Sequence, residues 1–545
     1  MAETATTPDT ATTTPKEYDV IIIGAGVTGM HQLKLVRELG VKVRVIEAGG
    51  DVGGTWYWNR YPGARLDSES YSYQYAFDPE LLDEWDWSEM FAGQPELERY
   101  YQRVADKHDL RKDIDFDTRI ESMVFDEETN HWTLQTTRGQ LYRAKVVIAA
   151  TGILSDPLFP TAPGLEKYEG EWYHTALWPH DKAVDFAGKR VAVIGTGATG
   201  VQVIPKVAET AAHLTVFQRT PNWAVPLRNQ PLSKERMAEI RAGYPEMFPK
   251  LRASFSGFLH SWDPVKSTDV TEVERDARYE LAWNSPGFAK WIGLYNDIAY
   301  NAEANKIYCD FLASKIRERV NDPATAEKLI PKDHLFGTKR VPCETNYYET
   351  YNRDNVELIS LHDNPIKEFT AKGILTAEGE LEFDMIVLAT GFDAFTGALN
   401  KIDIRGVEGQ TLRDKWKDGP HTYLGIQVAG FPNLFIMGGP HGKGGHGNGP
   451  RCSEQVVEWM AELVKEIFER RLERVEADPE SEREWTEQVV TAAAGTLQAT
   501  AKSIFFGDNV EGKPRVYVAY LGALPEFVKR LYDVREGGYR GFVIS

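Results

Sequence analysis

Cysteine is scarce in this sequence, and so are basic residues and long apolar runs. The three cysteines among 545 residues, Cys309, Cys343 and Cys452, lie far apart and form no CxxC pair. This argues against a disulfide framework, a zinc site and a dithiol redox enzyme, and it is typical of the reducing cytoplasm. Lysine and arginine number 62 against 81 acidic residues, a net charge of −19, which argues against nucleic acid or an anionic membrane as a partner. No apolar run approaches the roughly 18 residues of a membrane span.

Length and composition predict more than one compact domain behind a short N-terminal extension. A chain of 545 residues is too long for one ordinary domain and is expected to form two or three. Residues 1–17 are rich in Thr, Ala and Pro and lack the apolar core of a secretion signal and the arginines of a mitochondrial leader. We predict a disordered tail there.

A glycine-rich turn follows the first predicted strand. Residues 19–23 form an apolar run that leads into Gly24, Gly26 and Gly29, then a helical pattern and a second strand that ends at Glu47. Such glycines let the backbone approach a pyrophosphate at a helix N-terminus, and the acid can accept hydrogen bonds from both hydroxyls of an adenosine ribose. The alternative is an ordinary βα turn, and the position of Glu47 favours the dinucleotide site.

The same pattern occurs again after residue 190. Gly195, Gly197 and Gly200 follow an apolar strand, and Gln218 stands as far behind Gly195 as Glu47 stands behind Gly24. This second site therefore has a neutral residue at the ribose position, followed by Arg219 and Thr220. Because arginine suits the 2′-phosphate of NADP, we assign FAD to the first turn and NADPH to the second. Arg219 could also be an ordinary surface residue.

Between the two turns lies the sequence YEGEWYHTALWP, with Tyr168, Gly170, His174, Trp178 and Pro179 at fixed spacing. It resembles the F-x-G-x-x-x-H-x-x-x-W-P/D signature of Baeyer–Villiger monooxygenases, with Tyr in place of Phe. The alternative is a linker that packs three aromatic rings. We expect the two cofactor domains to be hinged about this stretch.

Two further segments support the resemblance. GGTWYWNRYPGARLD places Thr55 and Trp56 after a glycine turn and Asp67 after a Pro-Gly turn, and a later loop carries Lys339 and Arg340. The resemblance implies that Asp67 lies beside the flavin and orients the catalytic Arg340, while Lys339 faces the NADP phosphate. Without the resemblance, the alternative for Asp67 is a surface or helix-capping carboxylate, and the alternative for Lys339 and Arg340 is a pair of solvent-exposed side chains.

Two loops of the C-terminal third are expected to be mobile. In residues 438–449, His441 and His446 lack companions at metal spacing, so we predict no metal and a loop that closes over the flavin. Residues 503–515 resemble a mobile stretch of the family, but Ile504 and Glu511 replace its usual Trp and Pro.

The sequence thus predicts an α/β protein with two Rossmann-like dinucleotide-binding domains and a helical insertion. The expected boundaries are 18–155 for the first part of the FAD domain, 156–225 for a linker and the first part of the NADP domain, 226–331 for the insertion, 332–382 for the second NADP part and 383–545 for the second FAD part.

By resemblance, the protein uses NADPH, dioxygen and a flavin peroxide to convert linear or cyclic ketones to esters or lactones, as a monomer or weak homo-oligomer. The alternatives are an N- or S-oxidising flavin monooxygenase, against which Trp178-Pro179 and the Asp67/Arg340 pair argue, and a non-catalytic NADP(H)-sensing flavoprotein.

Overall fold

The computed structural model describes residues 14–545, so most of the tail predicted for residues 1–17 lies outside the described residues. The first strand already begins at Lys16, which pairs with Tyr142. The predicted end of the tail is therefore wrong by two residues, because the polar, exposed start of this strand carries no apolar signal.

The strands are numbered in chain order. They are β1 (Lys16–Ile23), β2 (Val43–Ile46), β3 (Ile114–Asp115), β4 (Ile120–Asp126), β5 (His131–Thr136), β6 (Leu141–Ala149), β7 (Glu171–His174), β8 (Arg190–Ile194), β9 (His213–Gln218), β10 (Val225–Pro226), β11 (Cys343–Glu344), β12 (Val356–Ser360), β13 (Ile366–Phe369), β14 (Gly373–Thr376), β15 (Glu380–Glu382), β16 (Met385–Leu388), β17 (Asp403–Arg405), β18 (Leu434–Ile436), β19 (Val475–Ala477) and β20 (Phe542–Ile544).

The α-helices follow the same convention. They are α1 (Val27–Glu38), α2 (Thr55–Trp58), α3 (Ser70–Tyr73), α4 (Pro79–Glu84), α5 (Gln94–Lys107), α6 (Ala198–Ala208), α7 (Lys234–Ala242), α8 (Tyr244–Ala253), α9 (Glu272–Asn284), α10 (Ala289–Ile292), α11 (Ala302–Arg319), α12 (Pro323–Leu329), α13 (Tyr347–Thr350), α14 (Gly397–Asn400), α15 (Leu412–Lys415), α16 (Gly449–Glu469), α17 (Pro479–Ala494) and α18 (Leu524–Glu536).

The first sheet carries the first glycine turn. Its strand order is β17-β4-β5-β6-β1-β2-β3, with β18 also paired to β6. Strand β1 is parallel to both of its neighbours, and its last four residues are buried. Helix α1 packs against β1, β2 and α16, so the turn before α1 lies at the carboxyl edge of a parallel sheet, where nucleotides bind in such folds.

The second sheet carries the second glycine turn. It has five parallel strands in the order β12-β9-β8-β16-β7. Strand β16 lies within this sheet, paired with β8 on one side and β7 on the other, so the predicted return to the FAD domain at residue 383 is wrong. Each unit has an apolar strand followed by Ala-Thr-Gly, so this pattern alone does not indicate which of the two sheets the strand joins. The chain returns to the first unit only after Leu388.

The helical insertion predicted for residues 226–331 is present as α7 to α12. Helix α8 packs against α16 and α18 of the first unit, while α11 packs against α13 of the second. The insertion therefore touches both units. No helix in residues 14–545 combines the length and apolar character that a bilayer crossing requires. Two Rossmann-like units with a helical insertion confirm the predicted fold class.

Candidate active site

A cleft of about 2360 Å³ runs between the two units and the insertion. Twelve of the residues singled out from the sequence line it: Gly24, Gly26, Glu47, Thr55, Trp56, Asp67, Gly195, Gly197, Arg219, Thr220, Lys339 and Arg340. The structure thus brings together motifs that are up to about three hundred residues apart in the chain.

The first glycine turn is packed too closely for any side chain. Gly24 has φ +104°, and a Cβ added there would lie 2.6 Å from the carbonyl oxygen of Ala150; one added at Gly29 would lie 1.9 Å from the oxygen of Gly24. Helix α1 has no side-chain cap and no acid in its first turn. Its free N–H groups and partial positive charge are left to an anion, which fits the pyrophosphate of a dinucleotide.

Glu47 closes this site. Its Oε2 accepts from the N–H of Ala25 and its Oε1 from the N–H of Gly49, each at 2.6 Å. Burial raises the pKa of the carboxyl while the two N–H groups oppose that rise. The carboxylate is therefore fixed beside the glycine turn, where it can take ribose hydroxyls.

The second glycine turn repeats this backbone geometry. A Cβ at Gly195, which has φ +110°, would lie 2.4 Å from the oxygen of Ala389, and one at Gly200 would lie 2.1 Å from the oxygen of Gly195. A Cβ at Gly197 would meet no described atom within 4 Å, so there is room at the start of α6, which also has no side-chain cap. This cradle fits a second pyrophosphate.

The side chains behind the second turn differ from the expectation in one respect. Gln218 is buried, points away from the cleft and donates from Nε2 to the oxygen of Lys328 at 2.7 Å. It is therefore a structural residue rather than a neutral ribose ligand. Arg219 lines the cleft, and its charge, together with the larger effect of burial, lowers the pKa of Lys339. Lys339 lies 3.6 Å from Asp333 and also lines the cleft, so an arginine and a lysine are both available there to an anionic group.

Arg340 and Asp67 form an ion pair inside the cleft. The guanidinium Nη1 lies 2.8 Å from Oδ2 of Asp67; the arginine side chain is 40% exposed to the cleft and the aspartate side chain 5%. Burial opposes the charge on Arg340, but the charge and hydrogen bond of Asp67 outweigh it and raise the pKa of the guanidinium. The other oxygen of Asp67, Oδ1, is buried without a hydrogen-bond partner among residues 14–545.

Sequence reasoning missed the aromatic wall beside this pair. The ring of Phe288 lies 5.9 Å from the Arg340 guanidinium. Phe258 and Trp291 pack against Phe288 with ring centroids 5.1 and 5.7 Å apart, and all three rings line the cleft. They belong to the insertion, where aromatic residues in helical sequence are indistinguishable from ordinary core.

The five signature residues of the stretch from Tyr168 to Pro179 do not line the cleft, although Ala176 and Leu177 of the same stretch do. Residues Glu171–His174 form the edge strand β7, and the Tyr168 hydroxyl donates to the oxygen of Phe383 at 2.9 Å. A Cβ at Gly170 would lie 2.3 Å from that hydroxyl, which explains the glycine. Trp178 is buried, with its ring 5.5 Å from that of Tyr173. Pro179, directly after Trp178, also lies outside the cleft lining.

His174 instead connects the two segments in which the chain passes from one unit to the other, near Leu158 and near Thr390. The N–H of Ala176 donates to its Nδ1 at 3.0 Å, so Nε2 carries the proton and donates to the oxygen of Leu158 at 3.1 Å. Thr390 from the other crossing lies 3.2 Å from Nε2, and the N–H of Leu158 donates to Gly391 at 2.9 Å. Burial lowers the pKa of His174. The signature residues of the stretch thus connect the two units from outside the cleft lining.

The C-terminal loops complete the cleft. Ile504 and Glu511, the two departures from the family pattern, both line it, and Asn509 donates to the oxygen of Phe392 at 2.7 Å. In the glycine-rich segment, His441 is buried with Nδ1 3.2 Å from the Thr422 hydroxyl. Among the side chains that the structure describes, which do not include that of His446, no group of three His, Cys, Asp or Glu residues is arranged to hold a metal.

These features define a flavoprotein oxidoreductase with two dinucleotide sites. A family model described as pyridine nucleotide-disulphide oxidoreductase matches residues 21–253. The 2-oxo-Δ3-4,5,5-trimethylcyclopentenylacetyl-CoA monooxygenase of Pseudomonas putida is 46% identical, covering 97% of this chain and 98% of its own. Cyclopentanone 1,2-monooxygenase of Comamonas is 41% identical over 97% of this chain and 96% of its own.

Phenazine N-monooxygenase of Lysobacter antibioticus is 42% identical, covering 97% of both chains. A crystal structure of OTEMO with FAD and NADP superposes with a TM-score of 0.95 at 46% identity, covering 98% of this chain and all of that one. The chain belongs to the Baeyer–Villiger monooxygenases, and its cofactors are FAD and NADPH.

Proposed function

We propose that this enzyme oxidises cyclic ketones to lactones. The observation that carries the proposal is the Arg340–Asp67 ion pair, which lies in a cleft walled by aromatic rings. The aromatic side chains of Phe288 and Trp291 offer a broad apolar surface to a compact, uncharged cyclic substrate. Two relatives named for cyclopentane-type substrates support the choice of a cyclic ketone over a linear one.

FAD binds at the first glycine turn in this proposal and NADPH at the second. Gly24, Gly26, Gly29, Glu47, Thr55 and Trp56 hold FAD, and Gly195, Gly197, Gly200, Arg219, Thr220 and Lys339 hold NADPH. Residues up to about 155 and from about 389 form the FAD domain, and the residues between them form the NADP domain with its insertion. When bound, the two cofactors would supply the redox chemistry, NADPH as the hydride donor and FAD as the group that accepts the hydride and activates dioxygen.

Arg340 supplies the permanent positive charge that oxygen insertion requires. A guanidinium stays protonated at any working pH, and it stabilises negative charge that develops on oxygen atoms in the cleft. Asp67 keeps Arg340 in one orientation through the 2.8 Å contact. Tyr168, His174 and Trp178 act from a distance by fixing the two units relative to each other, and the aromatic wall keeps water from the reacting atoms.

N-oxidation of an aromatic heterocycle is the second candidate. The phenazine N-monooxygenase is as similar to this chain as the cyclopentanone enzyme is, and an aromatic wall also suits a flat heterocycle. The Arg340–Asp67 pair favours the ketone, because an amine nitrogen develops positive rather than negative charge when oxygen is transferred to it.

The test is oxidation of matched substrates by the purified, FAD-loaded enzyme. Cyclopentanone, cyclohexanone, a linear ketone of equal carbon number and phenazine are each incubated with NADPH, and products are identified by mass. We expect lactones one oxygen heavier than the cyclic ketones and faster NADPH use than with the linear ketone. A product from phenazine alone would replace the proposal with the second candidate, and a preference for the linear ketone would refute the choice of ring.

A further inference from the structure

A tight turn of the insertion, residues 285–291, lies directly on the Arg340–Asp67 pair. Gly287 has φ +55°, and a Cβ added there would lie 3.4 Å from the backbone oxygen of Asp67 and 2.9 Å from the ring of Phe91. Its N–H donates to the oxygen of Leu227 at 3.0 Å. The turn therefore packs against the backbone of Asp67 through a position that favours glycine.

The same turn also contacts the loop that carries Arg340. Phe288 lies under the guanidinium at 5.9 Å. The indole Nε1 of Trp291 lies 2.9 Å from the place where a Cβ of Gly337 would be, and Gly337 has φ +76°. The two rings thus hold both ends of residues 337–340, and Phe288 adds a cation–π contact that favours one position of the charge.

Lys290 lies within this turn, and its side chain is fully buried. Its ammonium donates to the backbone oxygen of Ser285, so the bond spans Gly287 and Phe288. Among residues 14–545, no carboxylate lies within 4 Å of the ammonium. The Tyr308 hydroxyl donates to the Lys290 oxygen at 2.9 Å and fixes the backbone from the other side.

This burial is unfavourable for a cation. Burial lowers the pKa of Lys290 to about 8, as expected for a charge without an anionic partner. Cys343 lies between Lys290 and Asp67: burial raises the pKa of its thiol and the charge of Lys290 opposes that rise, while its N–H donates to Asp67 Oδ2 at 3.4 Å. The buried ammonium, whose desolvation is unfavourable, therefore bonds across the turn that contacts both Arg340 and Asp67.

We propose that Lys290 is a positioning residue for the Arg340–Asp67 pair, because its bond to Ser285 holds Gly287 on Asp67 and Phe288 under Arg340. The inference rests on the role of Arg340 proposed above. Lys290 does not line the cleft and does not touch substrate.

The test compares Lys290→Met with Lys443→Met in the FAD-loaded protein. Lys443 is a matched control, since it is also buried, donates to a backbone oxygen, Gly522, at 2.6 Å, and has a pKa lowered to about 8 by burial. The direct readout is the rate at which an arginine-selective dicarbonyl reagent labels Arg340, followed by peptide mass spectrometry. We expect faster labelling in Lys290→Met than in wild type, because the guanidinium is no longer held, and the wild-type rate in Lys443→Met.

The second readout is lactone formation. Lys290→Met should lower kcat about tenfold, since a slight misplacement of a catalytic group costs one to two orders of magnitude, without changing the KM for NADPH. Combined with Arg340→Ala it should cause no further loss. Phe288→Leu removes the cation–π contact with Arg340 but leaves the Lys290–Ser285 hydrogen bond. It should also increase the rate of Arg340 labelling, and it replaces Lys290→Met in the test if that variant does not fold.

The outcomes separate the two proposals. Labelling of Arg340 at the wild-type rate in folded Lys290→Met would overturn the positioning role, as would that rate in Phe288→Leu where Lys290→Met does not fold, or losses that multiply with Arg340→Ala. If Arg340→Ala alone kept wild-type lactone formation, the proposed function of Arg340 would fail, while the labelling rates would still decide whether Lys290 positions it.

Discussion

The two glycine turns have nearly the same backbone and different side chains behind it. In both, the first and third glycines leave no room for a Cβ, and the following helix presents uncapped N–H groups. Behind the first turn lies one buried acid, Glu47, whereas Arg219 follows the strand beside the second turn and lines the cleft together with Lys339. In the proposed assignment, the backbone provides two pyrophosphate sites and these side chains decide which dinucleotide binds at each.

The largest difference between the two turns, loss of FAD binding against loss of reduction by NADPH, is expected when the third glycine of each turn is replaced. Gly29→Ala should prevent FAD binding, because the new Cβ would meet the Gly24 oxygen at 1.9 Å. Gly200→Ala, with a contact of 2.1 Å to Gly195, should leave a yellow protein that NADPH no longer reduces. FAD content after purification and flavin bleaching by NADPH measure the two losses. FAD loss from Gly200→Ala with FAD retained in Gly29→Ala would reverse the assignment.

The acid of the first turn should have the next largest effect. Glu47→Gln should weaken FAD binding by roughly one to two orders of magnitude, since hydrogen bonds to a charged group contribute about 1.5–3 kcal/mol. The dissociation constant is measured by adding FAD back to the flavin-free protein. The KM for NADPH serves as the control, and an increase in it without a change in FAD affinity would contradict the assignment of Glu47.

The cations of the second turn should act on one cofactor only. Arg219→Ala and Lys339→Ala should each raise the KM for NADPH about tenfold, because each removes a charge from the 2′-phosphate. NADH lacks that phosphate and is the matched control. Initial rates with both cofactors decide the point, and an equal rise for NADH would show that these residues hold a part common to both.

The smallest expected effect is one of pH. Burial and the charge of Arg219 lower the pKa of free Lys339, and a bound phosphate would raise it again. The NADPH affinity that Lys339 provides is therefore fully present below the lowered pKa of the free protein and is lost as pH rises from there through the raised pKa of the complex. Lys339→Arg, which stays charged, should flatten the rise of KM on the alkaline side. If the KM for NADPH still rose equally at alkaline pH in Lys339→Arg, the pH dependence would belong to another titrating group.

The comparison also shows what could be predicted from the sequence. Glycine turns and strands are local patterns, so the fold class, the two turns and the pair of cofactors could be predicted. The sheet that receives Met385–Leu388 depends on pairing between distant strands, and the orientation of Gln218 depends on a bond to Lys328, 110 residues away. Phe288 and Lys290 carry no motif, and only the packing of the insertion reveals their place at the ion pair.

The central claim is that Arg340 serves oxygen insertion while the glycine turns serve cofactor binding. It is tested most directly by the lactone formed per NADPH consumed in Arg340→Ala. The account predicts a protein that retains FAD and is still reduced by NADPH but forms lactone roughly 10²–10³-fold more slowly, the usual effect of losing one electrostatic stabiliser. Lactone formation at the wild-type rate in that variant would contradict it.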